Sequence, residues 1–148
     1  MGSHLYKSRL GKVAWFVRRF GAAELFLKPL RCAFAPLIIP RLARAEFVFE
    51  GKSLPLFYHR YNMTWANERA VEVPVAGEFL RRFAGKRVLE VGNVTPHYLD
   101  TGHTVLDKFE RGPGIINEDI AGFAPGERFD LILSVSTFEH IGYDDEAD

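Results

Sequence analysis

At 148 residues, with 47% hydrophobic and 26% charged residues, the chain is long enough for one globular domain and too apolar for intrinsic disorder. Its net charge is zero, yet residues 1–45 carry nine Lys and Arg against the single acid Glu24 and residues 46–148 carry ten against eighteen, so the two parts stand at +8 and −8. Cys32 is the only cysteine, which excludes an intramolecular disulfide and a cysteine-built zinc site and fits a reducing, cytoplasmic location.

In chain order, Leu10, Val13, Val17 and Phe20 recur at helical spacing with Lys12, Arg18 and Arg19 between them, and Gly21 follows as a stop. Residues 5–20 therefore read as a basic amphipathic helix. A basic leading segment of this kind suits an anionic partner: a membrane surface, a nucleic acid or an acidic face of its own domain. A solvated helix suits it equally. No run reaches the roughly 18–20 apolar residues of a membrane span; the longest, Cys32 to Ile39, is interrupted by Pro36. Pro29, Pro36 and Pro40 predict that this stretch is not one continuous helix. Residues 1–45 are accordingly set apart as a basic N-terminal extension.

Residues 47–58 hold two aromatic and β-branched runs around Glu50-Gly51-Lys52-Ser53, which predicts a β-hairpin with Pro55 on an edge strand. Thr64 is positioned to cap a helix whose apolar residues Val71, Val75, Phe79 and Phe83 are spaced by four, with Pro74 kinking it or opening a second helix, and the helix ends before Gly85. The hairpin and this covering helix occupy 46–84. The stretch His59 to Glu68 is polar and aromatic, and Tyr61, Trp65 and Asn67 are candidates either to touch a ligand or to pack as a cap.

From residue 86 onward four short apolar strands follow, Arg87 to Val91, Thr104 to Leu106, Ile115 to Ile116 and Phe129 to Val135, with helix-compatible stretches before and between them. Near-continuous apolar strands predict a parallel sheet covered on both faces, an α/β fold. Ligands of such sheets sit beyond the carboxyl ends of the strands. The informative residues are thus Gly92 and Asn93 after the first strand, Asp107 after the second, Asp119 after the third, and Ser134 to Ser136 at the end of the fourth.

Over residues 64–148 the order of elements resembles the class I S-adenosylmethionine-dependent methyltransferases. The resemblance is carried by Lys86-Arg-Val-Leu-Glu-Val-Gly92, His103-Thr-Val-Leu-Asp107, Asn117-Glu-Asp-Ile120 and Phe129-Asp-Leu-Ile-Leu-Ser-Val-Ser-Thr-Phe-Glu-His-Ile141, which look like that family's first four strand motifs. It implies a Rossmann-like, mostly parallel sheet over 46–148, truncated after the fourth of seven strands, as in the N-terminal portion of a longer enzyme. It implies S-adenosylmethionine as cofactor and methyl transfer to an unassigned acceptor. Glu90 would help hold the ligand's ammonium, Gly92 would let the backbone approach the methionine part with Asn93 beside it in the cofactor-binding set, and Asp107 and Asp119 would take ribose and adenine. The backbone around Ser134 and Ser136 would floor the sulfonium. No catalytic base is assigned, because the leaving group is already activated by positive charge.

The chain departs from the family in Glu90-Val-Gly-Asn-Val-Thr-Pro96, which has one glycine where two or three are usual; Thr95 and Pro96 there suit an N-cap and a first helical position. The same departure argues against a dinucleotide oxidoreductase, whose pyrophosphate needs the close approach of G-x-G-x-x-G. The histidines show no metal-binding spacing, so no metal site is expected. Of the anionic partners that the charge of residues 1–45 would suit, a nucleic acid is not expected. The rival reading is a non-catalytic Rossmann-like module that docks on a membrane or glycan-assembly partner, its residues 1–45 giving peripheral membrane contact.

Overall fold

The computed structural model describes residues 17–18, 21–59 and 61–142. The expected helix at 5–20 lies outside them except for Val17 and Arg18, which are helical. The described chain falls into two units, a first of the residues up to Leu42 together with those from His140 onward and a second of Ala43–Glu139, and each is taken by itself.

In the first unit, helix α1 spans Glu24–Leu42 and contains Pro29, Pro36 and Pro40. This corrects the expectation of a broken segment. Each proline removes one N–H and crowds the preceding turn. At the helical rotation of about 100° per residue, however, spacings of seven and four place all three within about 40° of one another. The disturbed side is one narrow stripe, and the helix continues through all three prolines.

The second unit opens with strands β1 (Glu46–Phe49) and β2 (Lys52–Pro55), paired antiparallel with Phe49 opposite Lys52 and Glu46 opposite Pro55. The turn is the two residues Glu50 and Gly51, both at positive φ (48° and 76°), the pairing that matches the twist of a tight hairpin. Glu50 is held there by an ion pair with Arg82 at 2.6 Å.

Residues Tyr61–Ala66 form a 3₁₀ turn and Arg69–Arg82 the helix α2, which runs through Pro74 without opening a second helix. Thr64 does not cap it. Glu68 stands at the cap, and Thr64, fully buried, accepts from the His59 N–H at 2.6 Å and donates to the Phe57 carbonyl. Nor is the buried stripe the expected one: Ala70, Val73 and Ala76 are buried, while Val71 is exposed and Phe79 meets Phe49 of the hairpin edge-on at 5.9 Å. Small residues occupy the face that must come close; Gly77 approaches Leu99 so tightly that a Cβ there would lie 3.3 Å from its methyl.

Glu78 joins α2 to the hairpin. Its buried carboxylate accepts from Lys52 Nζ at 2.6 Å, Arg82 Nε at 2.8 Å and Arg81. The Lys52 ammonium first, then the Arg82 and Arg81 guanidiniums, hold its carboxyl at about 2, below the ordinary 4.5. A depressed folded-state value stabilises the fold in full above the unfolded value and loses that contribution as pH falls through the folded one. Acid titration followed by circular dichroism is therefore expected to show stability declining from about pH 4.5 towards 2, with a shallower decline in Glu78→Gln.

Strands β3 (Val88–Val91), β4 (Thr104–Leu106), β5 (Ile115–Ile116) and β6 (Leu131–Ser134) form a four-stranded, all-parallel sheet in the order β5-β4-β3-β6. The fold is thus α/β, as the apolar strands predicted. All four residues of β3 are buried, which is what a central strand flanked on both sides requires. Leu89, Val91 and Leu106 make the core on one face, against Ile116, Ile120, Phe123 and Phe129. The connection from β3 to β4 carries only the 3₁₀ turn Thr95–His97, as its short length leads one to expect, whereas the stretches 107–114 and 117–130 hold no helix. Among the described residues β6 pairs with β3 alone, and its Ile132 is 60% exposed, so the sheet presents an apolar edge.

Candidate functional site

Because all four strands are parallel, the residues that follow them share one rim. The chain moves outward from β3 through β4 to β5, then returns to the other side of β3 with β6. Strand order reverses at β3, and in open α/β sheets the crevice outside the carboxyl ends at such a reversal is where ligands bind. Glu90, Gly92 and Asn93 lie at the end of β3, Asp107 after β4, Asp119 after β5, and Ser134 and Ser136 at the end of β6.

Asp107 ties two of these turns together. Its Oδ2 accepts the Asn93 N–H at 2.9 Å, and its Oδ1 accepts those of Phe109 at 2.9 Å and Glu110 at 2.7 Å. Three of the roughly four acceptor positions of a carboxylate are thereby used, and one remains on Oδ2. The Asn117 amide lies 2.8 Å from the carbonyls of Asp107 and Lys108 and 3.1 Å from that of Glu110, fastening the same turn from the β5 side. Asp119 takes the Ala121 N–H on Oδ1 at 2.9 Å and Lys108 Nζ on Oδ2 at 3.0 Å, which together hold its carboxyl below the usual range, the backbone bond being the larger cause. Each of its oxygens keeps a further acceptor position.

Gly92 sits at φ +89°, with its N–H on the Leu106 carbonyl at 2.8 Å. A Cβ built there would lie 2.1 Å from Thr137 Oγ1, so the absence of a side chain is required by the turn after β6. Asn93 Nδ2 donates to Glu110, an acceptor-only carboxylate, and this fixes which way the amide faces. Its Oδ1 is buried and has no hydrogen-bond partner among the described residues. Ser134 Oγ donates to the Val91 carbonyl at 3.1 Å; Ser136, at φ +45°, donates to Glu72 on α2 at 2.7 Å.

Glu90 has a different task from the one its motif implied. It is fully buried, with Oε1 accepting from Val94 N at 3.2 Å and Thr95 N at 2.8 Å and Oε2 from Thr95 Oγ1 and, at 2.7 Å, His103 Nε2. Four donors fill a carboxylate, so no position is left for a ligand ammonium. Thr95, expected as an N-cap, is inside the 3₁₀ turn with Val94 at the cap, and its hydroxyl serves Glu90. The glycine-poor loop is shaped from below by this carboxylate, the work that additional glycines do by conformational freedom.

The stretch before α2 packs against the same loop: the Tyr61 ring lies 4.9 Å from His97 and 5.7 Å from Tyr98, and Asn67 Oδ1 accepts the Arg69 N–H. A cavity of about 640 Å³ bounded by Gly77, Leu99 and His103 lies towards the amino ends of the strands, and a second, of about 580 Å³, is bounded by Val88, Thr104, Ile116, Glu118 and Phe129. Sequence reasoning did not find Glu110, Asn117, Thr137 or the Glu90–His103 pairing. The signal for the last was available in the register, since Glu90 opposes Val105 and His103, two residues earlier, faces the same side. No family model, no curated protein and no solved structure matches this chain.

Proposed function

We propose that the chain is a Rossmann-like, S-adenosylmethionine-binding methyltransferase domain. The observation that supports this most is the strand order β5-β4-β3-β6, all parallel, with a glycine turn and two carboxylates on the carboxyl rim at the reversal. The rim fits the cofactor in three places. Asp107 keeps one acceptor position on Oδ2 for a ribose hydroxyl, Asp119 keeps acceptor positions for an adenine amine, and the orphaned Asn93 Oδ1 is an acceptor for an N–H donor such as the methionine ammonium. Glu90 does not fit as a ligand group and positions the loop instead.

When bound, S-adenosylmethionine supplies a methyl group on a positively charged sulfur, ready for attack by an acceptor oxygen, nitrogen or carbon. The chain's own contribution is then orientation: Asp107 holds the turns after β3 and β4 in one register, and Glu90 fixes the turn that Asn93 begins. Fixing the reacting centres and excluding water is how such a site lowers the barrier, without a protein base.

Calorimetric titration of S-adenosylmethionine and S-adenosylhomocysteine into the protein is expected to give saturable binding of both. Asp107→Ala should weaken it at least tenfold, about 1.4 kcal/mol, and Asp119→Asn, which leaves the Asp107 turns intact, should weaken it less. Absence of binding by the unaltered protein, or affinity unchanged in both variants, defeats the proposal.

A further inference from the structure

Helix α1, taken by itself, carries an apolar stripe. Phe26, Leu27, Leu30, Phe34 and Leu37 are all exposed, Phe26 by 78% and Leu37 by 59%. With Ala33 they fall within about 120° of the helical circumference, and the three prolines fall outside that arc. An exposed stripe of this size and width marks a contact surface.

Charge decides what it contacts. Residues 1–45 hold nine basic residues against one acid. Within α1 these include Arg31 at the edge of the stripe and Arg41, exposed, in its last turn. A second copy laid along the same stripe would bring two +8 segments together, which repulsion opposes. An anionic bilayer surface answers both features, since leucine and phenylalanine enter the acyl boundary while basic residues meet the headgroups. On such a surface the helix would lie flat, since no helix among the described residues is long and apolar enough to cross a membrane.

We infer that α1 is an interfacial helix that docks the protein on anionic lipid through Phe26, Leu30, Phe34 and Leu37. This is independent of the cofactor reading, which concerns only residues 43–139.

Co-sedimentation of the full chain with vesicles of phosphatidylcholine, with and without phosphatidylserine, tests it. Binding is expected to the phosphatidylserine vesicles, to fall as salt rises, and to weaken at least roughly tenfold in Phe26→Glu/Phe34→Glu. Arg41→Glu, which reverses one charge and leaves the stripe intact, should weaken it by a similar factor, and circular dichroism should show helix content retained in both. The inference is overturned by absence of binding, by equal binding to neutral vesicles at all salt concentrations, or by binding unchanged in both variants. A stable dimer that Phe34→Glu dissociates would likewise overturn it, assigning the stripe to a second copy.

Discussion

Replacing Glu90 with alanine is expected to destabilise the second unit by about 3–5 kcal/mol, measured by urea unfolding followed by circular dichroism. The size follows from what is left behind. Val94 N, Thr95 N, Thr95 Oγ1 and His103 Nε2 all donate to this one side chain, and Thr95 is fully buried, so four donors lose their acceptor in a place with little water. Glu90→Gln separates shape from charge. Its amide oxygen can keep both backbone bonds, but its NH₂ then faces His103 Nε2. Beside a carboxylate that ring nitrogen is the protonated one; beside an amide the proton must move to Nδ1, which is buried without a partner. A loss of about 1–2 kcal/mol is expected, with His103 changing tautomer in ¹⁵N spectra. A Glu90→Ala protein as stable as the original, or a His103 tautomer indifferent to Glu90→Gln, would show that this carboxylate does not hold the loop.

The sheet was legible in the sequence because its strands are nearly uninterrupted apolar runs between turn residues: β4 and β5 coincide with the predicted spans, and β3 and β6 lie inside theirs. The hairpin was legible because Glu50-Gly51 permits the tight turn. The rim was legible for a topological reason, since in a parallel sheet every residue that follows a strand lies on one side. What failed was the assumption that the largest apolar residues mark the buried face. In α2 the face that must approach closely is built of Ala70, Val73, Ala76 and Gly77, and Phe79 turns to the hairpin instead. In α1 three prolines argued for a break, and only their angular coincidence shows why the helix continues. The fastening of Glu90 by His103 and of the Asp107 turn by Asn117 spans 13 and 10 positions; it depends on strand register, which composition and motif do not encode.

Gly92→Ala is expected to cost about 2–4 kcal/mol, and two separable causes contribute. A non-glycine residue at φ +89° is strained by about 1 kcal/mol or more. The added methyl also meets Thr137 at 2.1 Å from Oγ1, 2.8 Å from Cγ2 and 2.9 Å from Cβ, an overpacking worth about 1–3 kcal/mol. A double-mutant cycle divides them. Thr137→Gly removes the three atoms nearest the added methyl, so Gly92→Ala made in that background should cost little more than the backbone strain, about 1 kcal/mol. Equal costs in both backgrounds would mean that Thr137 does not crowd Gly92. The cycle matters for the site because it distinguishes two reasons for the one glycine in this loop. If crowding by the turn after β6 dominates, the bend between β3 and Asn93 is preformed by the protein's own packing, and the orphaned Asn93 Oδ1 is already in place before any ligand arrives. Cofactor affinity in Thr137→Gly should then fall in step with stability, because the same contact that excludes a Cβ at Gly92 holds the bend in shape.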